Sequence, residues 1–248
     1  MPGARHSKHS KAGRARGERY GRRPIRTRTP LPVLVVVSDD TATAPNYFRA
    51  LHREVKQHVT IKVVSAHCEG ASPGTVVQQA CKEKRDFGKG RDAVWVLLDL
   101  EGDANRRQQT QVARRKAEQR GVRVALSIPC YEVWMLLHLE DTGEQFSDCR
   151  AVVSRVKQLW HQEFGEGFSS KAQADYAKIV PRRAQAAQRA ELHWNNNDPA
   201  RTEVFKVIRQ IDAFQADMVI PAEPQGPRRQ RHPCGASPRR ANPGEREQ

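Results

Sequence analysis

The chain has 248 residues, 38% of them hydrophobic, enough for one large domain or two small ones but not for a generous core. Lys and Arg number 43 against 28 Asp and Glu, a formal net charge of +15, yet the surplus is uneven. Residues 1–30 hold ten basic side chains against one acidic and residues 221–248 hold six against three, leaving 27 against 24 between them, so a nearly balanced middle carries basic ends and a pI near 10.1 does not by itself make the whole chain a nucleic-acid binder.

The first thirty residues are Arg, Gly, Ser, His and Pro with almost no apolar side chain. They cannot bury enough surface to offset their ordering entropy and are expected to form a disordered basic tail. The aliphatic run Val33 to Val37 is far short of the ~20 residues of a membrane span and leads into Asp39 and Asp40, not a cleavage site. That excludes a spanning helix and makes the Arg22-Arg23 pair a poor export signal. The run is β-branched and continuous, as in a strand buried on both faces. Pro45 suits the first turn of a helix whose apolar face is Tyr47, Phe48, Leu51 and Val55. A second strand is expected over 59–65, then a helix started by Ser72-Pro73 with Val76, Val77, Ala80 and Cys81 on its inner face.

Ala93 to Leu98 forms the clearest strand, closed by Asp99-Leu-Glu101-Gly-Asp103. A polar helix over 105–120 stops at Gly121, and Val122 to Leu126 gives a fourth strand. Strands alternating with helices of this length define an α/β class: a parallel sheet with right-handed crossovers and helices on both faces. Beyond Pro129 the pattern turns helical. A helix over 131–139 is apolar nearly all round, a second is capped by Ser147, a third runs near 171–191, and a last one over 200–214 buries Val204, Phe205, Val207, Ile208 and Ile211. The expected organisation is a tail (1–30), an α/β core (31–145), a helical C-terminal extension packed on it (146–220) and a Pro/Arg-rich disordered tail (221–248).

In open parallel sheets, ligands bind beyond the carboxyl ends of the strands. Three such ends are acidic here: Asp39 and Asp40 after the first strand, Asp99 and Glu101 after the third, and Glu132 after the fourth. Hard divalent cations take oxygen ligands, and residues at i and i+2 in extended chain can both reach one ion, so Mg²⁺ or Mn²⁺ held by Asp39, Asp99 and Glu101, with Asp40 or Glu132 as further oxygens, is the expected cofactor. Such a site suits phosphodiester cleavage. Singly, each of these residues is as well explained as a cap or loop solubiliser. His138 and the aromatic residues Tyr47, Phe48, Trp95, Trp134 and Trp160 are expected in the core. Five cysteines, odd in number and without Cys-x-x-Cys spacing, point to reduced thiols, a cytoplasmic setting and no zinc site. P-loop, Rossmann and nucleophile-elbow motifs are missing from the sequence.

Pro45-Asn-Tyr-Phe48, Asp99-Leu-Glu101, Ile128-Pro-Cys-Tyr-Glu-Val-Trp134 with His138, and Asp198-Pro199 resemble, in order over residues 32–214, the RloB-like family. The Pro-Cys-Tyr-Glu string is the most specific piece. The resemblance implies a Toprim-like α/β domain from restriction-modification or abortive-infection loci, acting in antiviral defence beside an ABC- or AAA-type ATPase as a metal-dependent nuclease. It also implies that Asp39, Asp99, Glu101 and Glu132 are the catalytic carboxylates and that nucleic acid is the substrate. The family usually has Glu-Gly-Glu-Lys-Thr-Glu before Pro-Asn-Tyr-Phe, whereas this chain has Asp39-Asp-Thr-Ala-Thr-Ala44, losing a Glu, a Lys and a Gly. The alternative reading is therefore a catalytically degenerate adaptor that binds the ATPase partner or nucleic acid. A third is a nonspecific DNA binder working through its tails alone.

Overall fold

The computed structural model describes residues 30–66, 71–87, 90–101 and 104–219. Among the described residues five strands form one sheet in the order β2-β1-β3-β4-β5: β1 Val33–Ser38, β2 Thr60–Ser65, β3 Ala93–Asp99, β4 Arg123–Ile128 and β5 Arg201–Thr202. The first four are mutually parallel, as expected. The sheet is not wholly parallel, however, because β5 pairs antiparallel with β4 through Ser127 and Thr202 and Ile128 and Arg201. Two residues are too few to show a period in sequence, and β5 forms where the chain enters its last helix.

The helices α1 Thr43–Val55, α2 Pro73–Phe87 and α3 Ala104–Gln119 make the crossovers between the parallel strands. Alternating side chains of β1 and β3 feed opposite faces, since successive residues of a strand point to opposite sides. Leu34, Val36, Trp95 and Leu97 pack with α1 and with the C-terminal helices α4 Glu132–Leu139, α5 Cys149–Phe164, α6 Gln173–Ile179, α7 Arg183–Asn196 and α8 Val204–Val219. Val35, Val37, Val94, Val96 and Leu98 pack with Val76, Val77 and Ala80 of α2 and Ala113 and Ala117 of α3. The five aromatic residues assigned to the core are all buried.

Element ends follow local chemistry. Ser72 Oγ accepts from Thr75 N ahead of α2, and Gly121 turns the chain after α3 at φ +67. The cap of α5 is Asp148, whose carboxylate accepts from Ala151 N, one residue after the expected Ser147. The helix expected near 171–191 is two: Pro181 lies in a 3-10 turn, Val180–Arg182, between α6 and α7, because proline cannot donate inside a continuous helix. Among the described residues no helix is long and apolar enough to cross a membrane. The two tails, residues 1–29 and 220–248, lie outside the described residues.

Candidate functional site

Strands β1, β3 and β4 are adjacent, so their carboxyl ends lie side by side and Asp99, the last residue of β3, stands in register with Ser127 of β4. Asp39 leaves β1 at the same edge, Glu101 follows Asp99 by two residues, and Glu132 opens α4 after the cis Ile128–Pro129 bond. The fold thus brings Asp39, Asp99, Glu101 and Glu132 together from sequence positions up to 93 residues apart.

Their electrostatics register that crowding. Burial pushes the Asp99 carboxyl well above its ordinary value, and the negative charges of Glu132, Asp39, Glu101 and Asp40 push it further. Glu101, though exposed, is raised by desolvation and next by Asp39. Asp39 itself is raised by burial against the opposing pull of Arg106, whose guanidinium lies 3.7 Å from its Oδ2. Desolvation dominates the rise at Glu132 as well, with Asp40 adding to it. Carboxylates that resist ionisation side by side are ones that a cation would relieve, and oxygen donors suit a hard ion of the Mg²⁺ or Mn²⁺ kind, but among the described residues no three of these carboxylates bring ligand atoms within 4.8 Å of one another.

Asp40 stands apart from this group. Its two carboxylate oxygens accept from Ala42 N at 2.7 Å and Ala44 N at 2.6 Å, so it caps the start of α1. Of the acidic residues at this edge, Asp40 is the one that the role of helix cap describes. Glu132 is held in place by Thr43, whose hydroxyl donates to its Oε1 at 3.0 Å. His138 is a core histidine: it is 2% exposed, meets Tyr47 Oη at 3.2 Å and the Trp134 carbonyl at 2.8 Å, and burial lowers its pKa to about 4.

The sequence predicts reduced cysteines throughout, and here the structure corrects it. Cys130 and Cys149 form a disulfide with Cα atoms 5.8 Å apart, tying the loop before α4 to the start of α5. A separation of 19 residues hides such a pair from any search for close spacing. Cys149 Sγ lies 3.3 Å from Glu132 Oε2. A disulfide sulfur has no proton to donate, so this is a packing contact. Glu101, Cys130 and Cys149 have potential ligand atoms within 4.8 Å of one another, but sulfurs bonded to each other are not thiolate ligands. Cys81 is a free thiol, while Cys68 and Cys234 lie outside the described residues.

Beside the acidic edge opens a cavity of about 720 Å³, lined among others by Glu101, Arg107, Pro129, Phe146, Asp148 and Arg150. Two guanidinium groups thus share this lining with Glu101. Sequence singles out neither Arg107 nor Arg150, nor Thr43 or Arg106: single Arg and Thr residues on polar segments carry no periodic signal, and only the strand order reveals that they face this edge.

An α/β sheet, mixed in direction, with carboxylates at three neighbouring strand ends, defines the class of protein. Within that class the chain belongs to the RloB-like protein family, whose sequence model matches residues 34–211. No curated protein and no solved structure matches it.

Proposed function

We propose that this protein is a Toprim-like, metal-dependent nuclease that hydrolyses phosphodiester bonds in nucleic acid, working in an antiviral abortive-infection system with an ABC- or AAA-type ATPase. The observation that carries the reading is the gathering of Asp39, Asp99, Glu101 and Glu132 at the ends of adjacent strands, each with its carboxyl pushed up. An ion bound there would supply charge stabilisation at the attacked phosphate and ease deprotonation of water.

Asp39, Asp99 and Glu101 would hold the ion, and Glu132 would hold it or orient water. Thr43 fixes Glu132 Oε1, and a carboxyl pushed up by burial holds a proton more strongly, which suits Glu132 to take one from an attacking water. Arg107 and Arg150 line the adjoining cavity and provide contacts for flanking phosphates, a role the lost first-loop Lys would otherwise share.

The test is cleavage of plasmid DNA or tRNA with Mn²⁺. Asp99→Ala is expected to reduce the rate by about 10²-fold or more, as removal of a group that acts in the transition state does. Unchanged cleavage would exclude this edge as the active site.

One observation favours the adaptor reading: Arg106 lies against Asp39, and Asp40 is committed to capping, so the first-strand carboxylates already have partners. That reading predicts no Mn²⁺ binding by calorimetry and no change in partner affinity with Glu101→Ala.

A further inference from the structure

Away from the acidic edge, α2 and α3 pack against each other and enclose a groove of about 650 Å³. Its lining is Gln78, Cys81, Lys82, Lys84 and Arg85 from α2 and Lys116 and Arg120 from the end of α3. Lys82 and Arg85 are one turn apart on the first helix, as are Lys116 and Arg120 across the groove. None of the five cations makes an ion pair with a described residue. The acidic residues close by in sequence are used elsewhere or lie off the groove: Glu83 is buried against Lys62 at 2.7 Å, Glu118 pairs with Arg114 at 3.0 Å, and Asp86 is not part of the lining. A merely solvated helix face carries interspersed signs, whereas this concave lining has one sign only and concentrates its field.

We infer that this groove is a binding site for the phosphate backbone of a nucleic acid, separate from the acidic edge. Helices in a parallel sheet run back from the carboxyl edge, so Lys116 and Arg120, near the end of the 16-residue α3, lie about 20 Å from its start beside Asp99 and Glu101. The lining favours nucleic acid over an acidic protein because it lacks the aromatic or large aliphatic anchors on which protein interfaces depend. Lys and Arg on two facing helices suit a repeating line of phosphates, with affinity supplied by counterion release.

The experiment measures binding of a fluorescein-labelled duplex of about 20 base pairs to the full chain in EDTA across a salt series, for wild type and for Lys82→Ala/Arg85→Ala/Lys116→Ala. The basic ends are present in both proteins, so the difference isolates the groove, and EDTA makes the result independent of any metal chemistry at the acidic edge. The variant is expected to bind at least about tenfold more weakly at low salt, with the log–log salt slope smaller by about 2–3, roughly one for each phosphate no longer neutralised. Because Lys82 and Arg85 are exposed and Lys116 half-exposed, the variant should unfold at the wild-type temperature, which confirms that weaker binding is not misfolding. Affinity and slope unchanged in the triple variant would overturn the inference. So would loss of polyglutamate binding with the nucleic-acid slope intact, which would assign the groove to an acidic polypeptide.

Discussion

Asp99 ends a strand whose preceding six residues are buried, and its side chain sits among carboxylates contributed by two other strand ends. A carboxyl raised above its ordinary value of 3.8 binds its proton more tightly in the folded protein than in the unfolded chain. Its contribution to stability is therefore fully present below the unfolded value and is lost as pH rises through the raised folded value. Metal-free protein should accordingly be more stable as Asp99→Asn than as wild type at pH 7, by several degrees in Tm, and the gap should close at acid pH. Thermal denaturation of both proteins in EDTA across a pH series checks this, the difference reporting Asp99 together with the carboxylates coupled to it. The opposite ordering at pH 7 would mean that the cluster is already neutralised from within, by Arg106 above all. Excess stability in the variant is what a site held ready for a cation would show, since such sites give up stability for function. Asp99 and Glu101 are legible from sequence because both close an unmistakable apolar run. Thr43, Arg106 and Cys149 are not, because their importance lies in what they face after folding.

Among elements, the four parallel strands and the crossover helices can be read from hydrophobic runs and turn residues, with boundaries shifted by a residue or two. Features set by tertiary context escape such reading. The two-residue β5 exists because its neighbour Glu203 is anchored: 1% exposed, it accepts from Leu126 N at 3.2 Å and pairs with Arg114 of α3 at 3.2 Å and with Lys206 of α8. One carboxylate thereby joins β4, α3 and α8. Glu203→Ala leaves the buried Leu126 N–H without that acceptor and Arg114 with Glu118 as its remaining carboxylate, so it is expected to cost about 2–3 kcal/mol, with Glu203→Gln costing less because an acceptor oxygen remains. Urea denaturation of the two variants against wild type measures both numbers. Equal losses would show that the charge, not the hydrogen bond, holds the edge strand. The break at Pro181 is legible in principle, since proline inside a helical pattern marks a boundary.

For the whole molecule, the two charged features stand at opposite ends of α3, which itself carries Arg106, Arg107, Arg114, Arg115 and Lys116, with Arg120 just beyond it. A nucleic acid held in the basic groove could thus follow that helix to the carboxylates, its nearer phosphates meeting Arg107. The separation of about 20 Å corresponds to roughly six or seven base pairs at 3.4 Å each, which sets a length threshold if both proposed sites act on one substrate. Contacts that are equally strong in ground and transition states lower KM and leave kcat alone, and a groove used only to hold the duplex makes contacts of that kind. Cleavage of a duplex of about 20 base pairs by Lys82→Ala/Arg85→Ala/Lys116→Ala should therefore show KM raised about tenfold at unchanged kcat, matching the weaker binding expected of the groove itself. A duplex of about five base pairs, too short to reach from edge to groove, should be cleaved by variant and wild type with equal kcat/KM. A kcat effect on the long duplex would place the groove in the chemistry, and an unchanged KM on it would mean that the two sites do not share a strand.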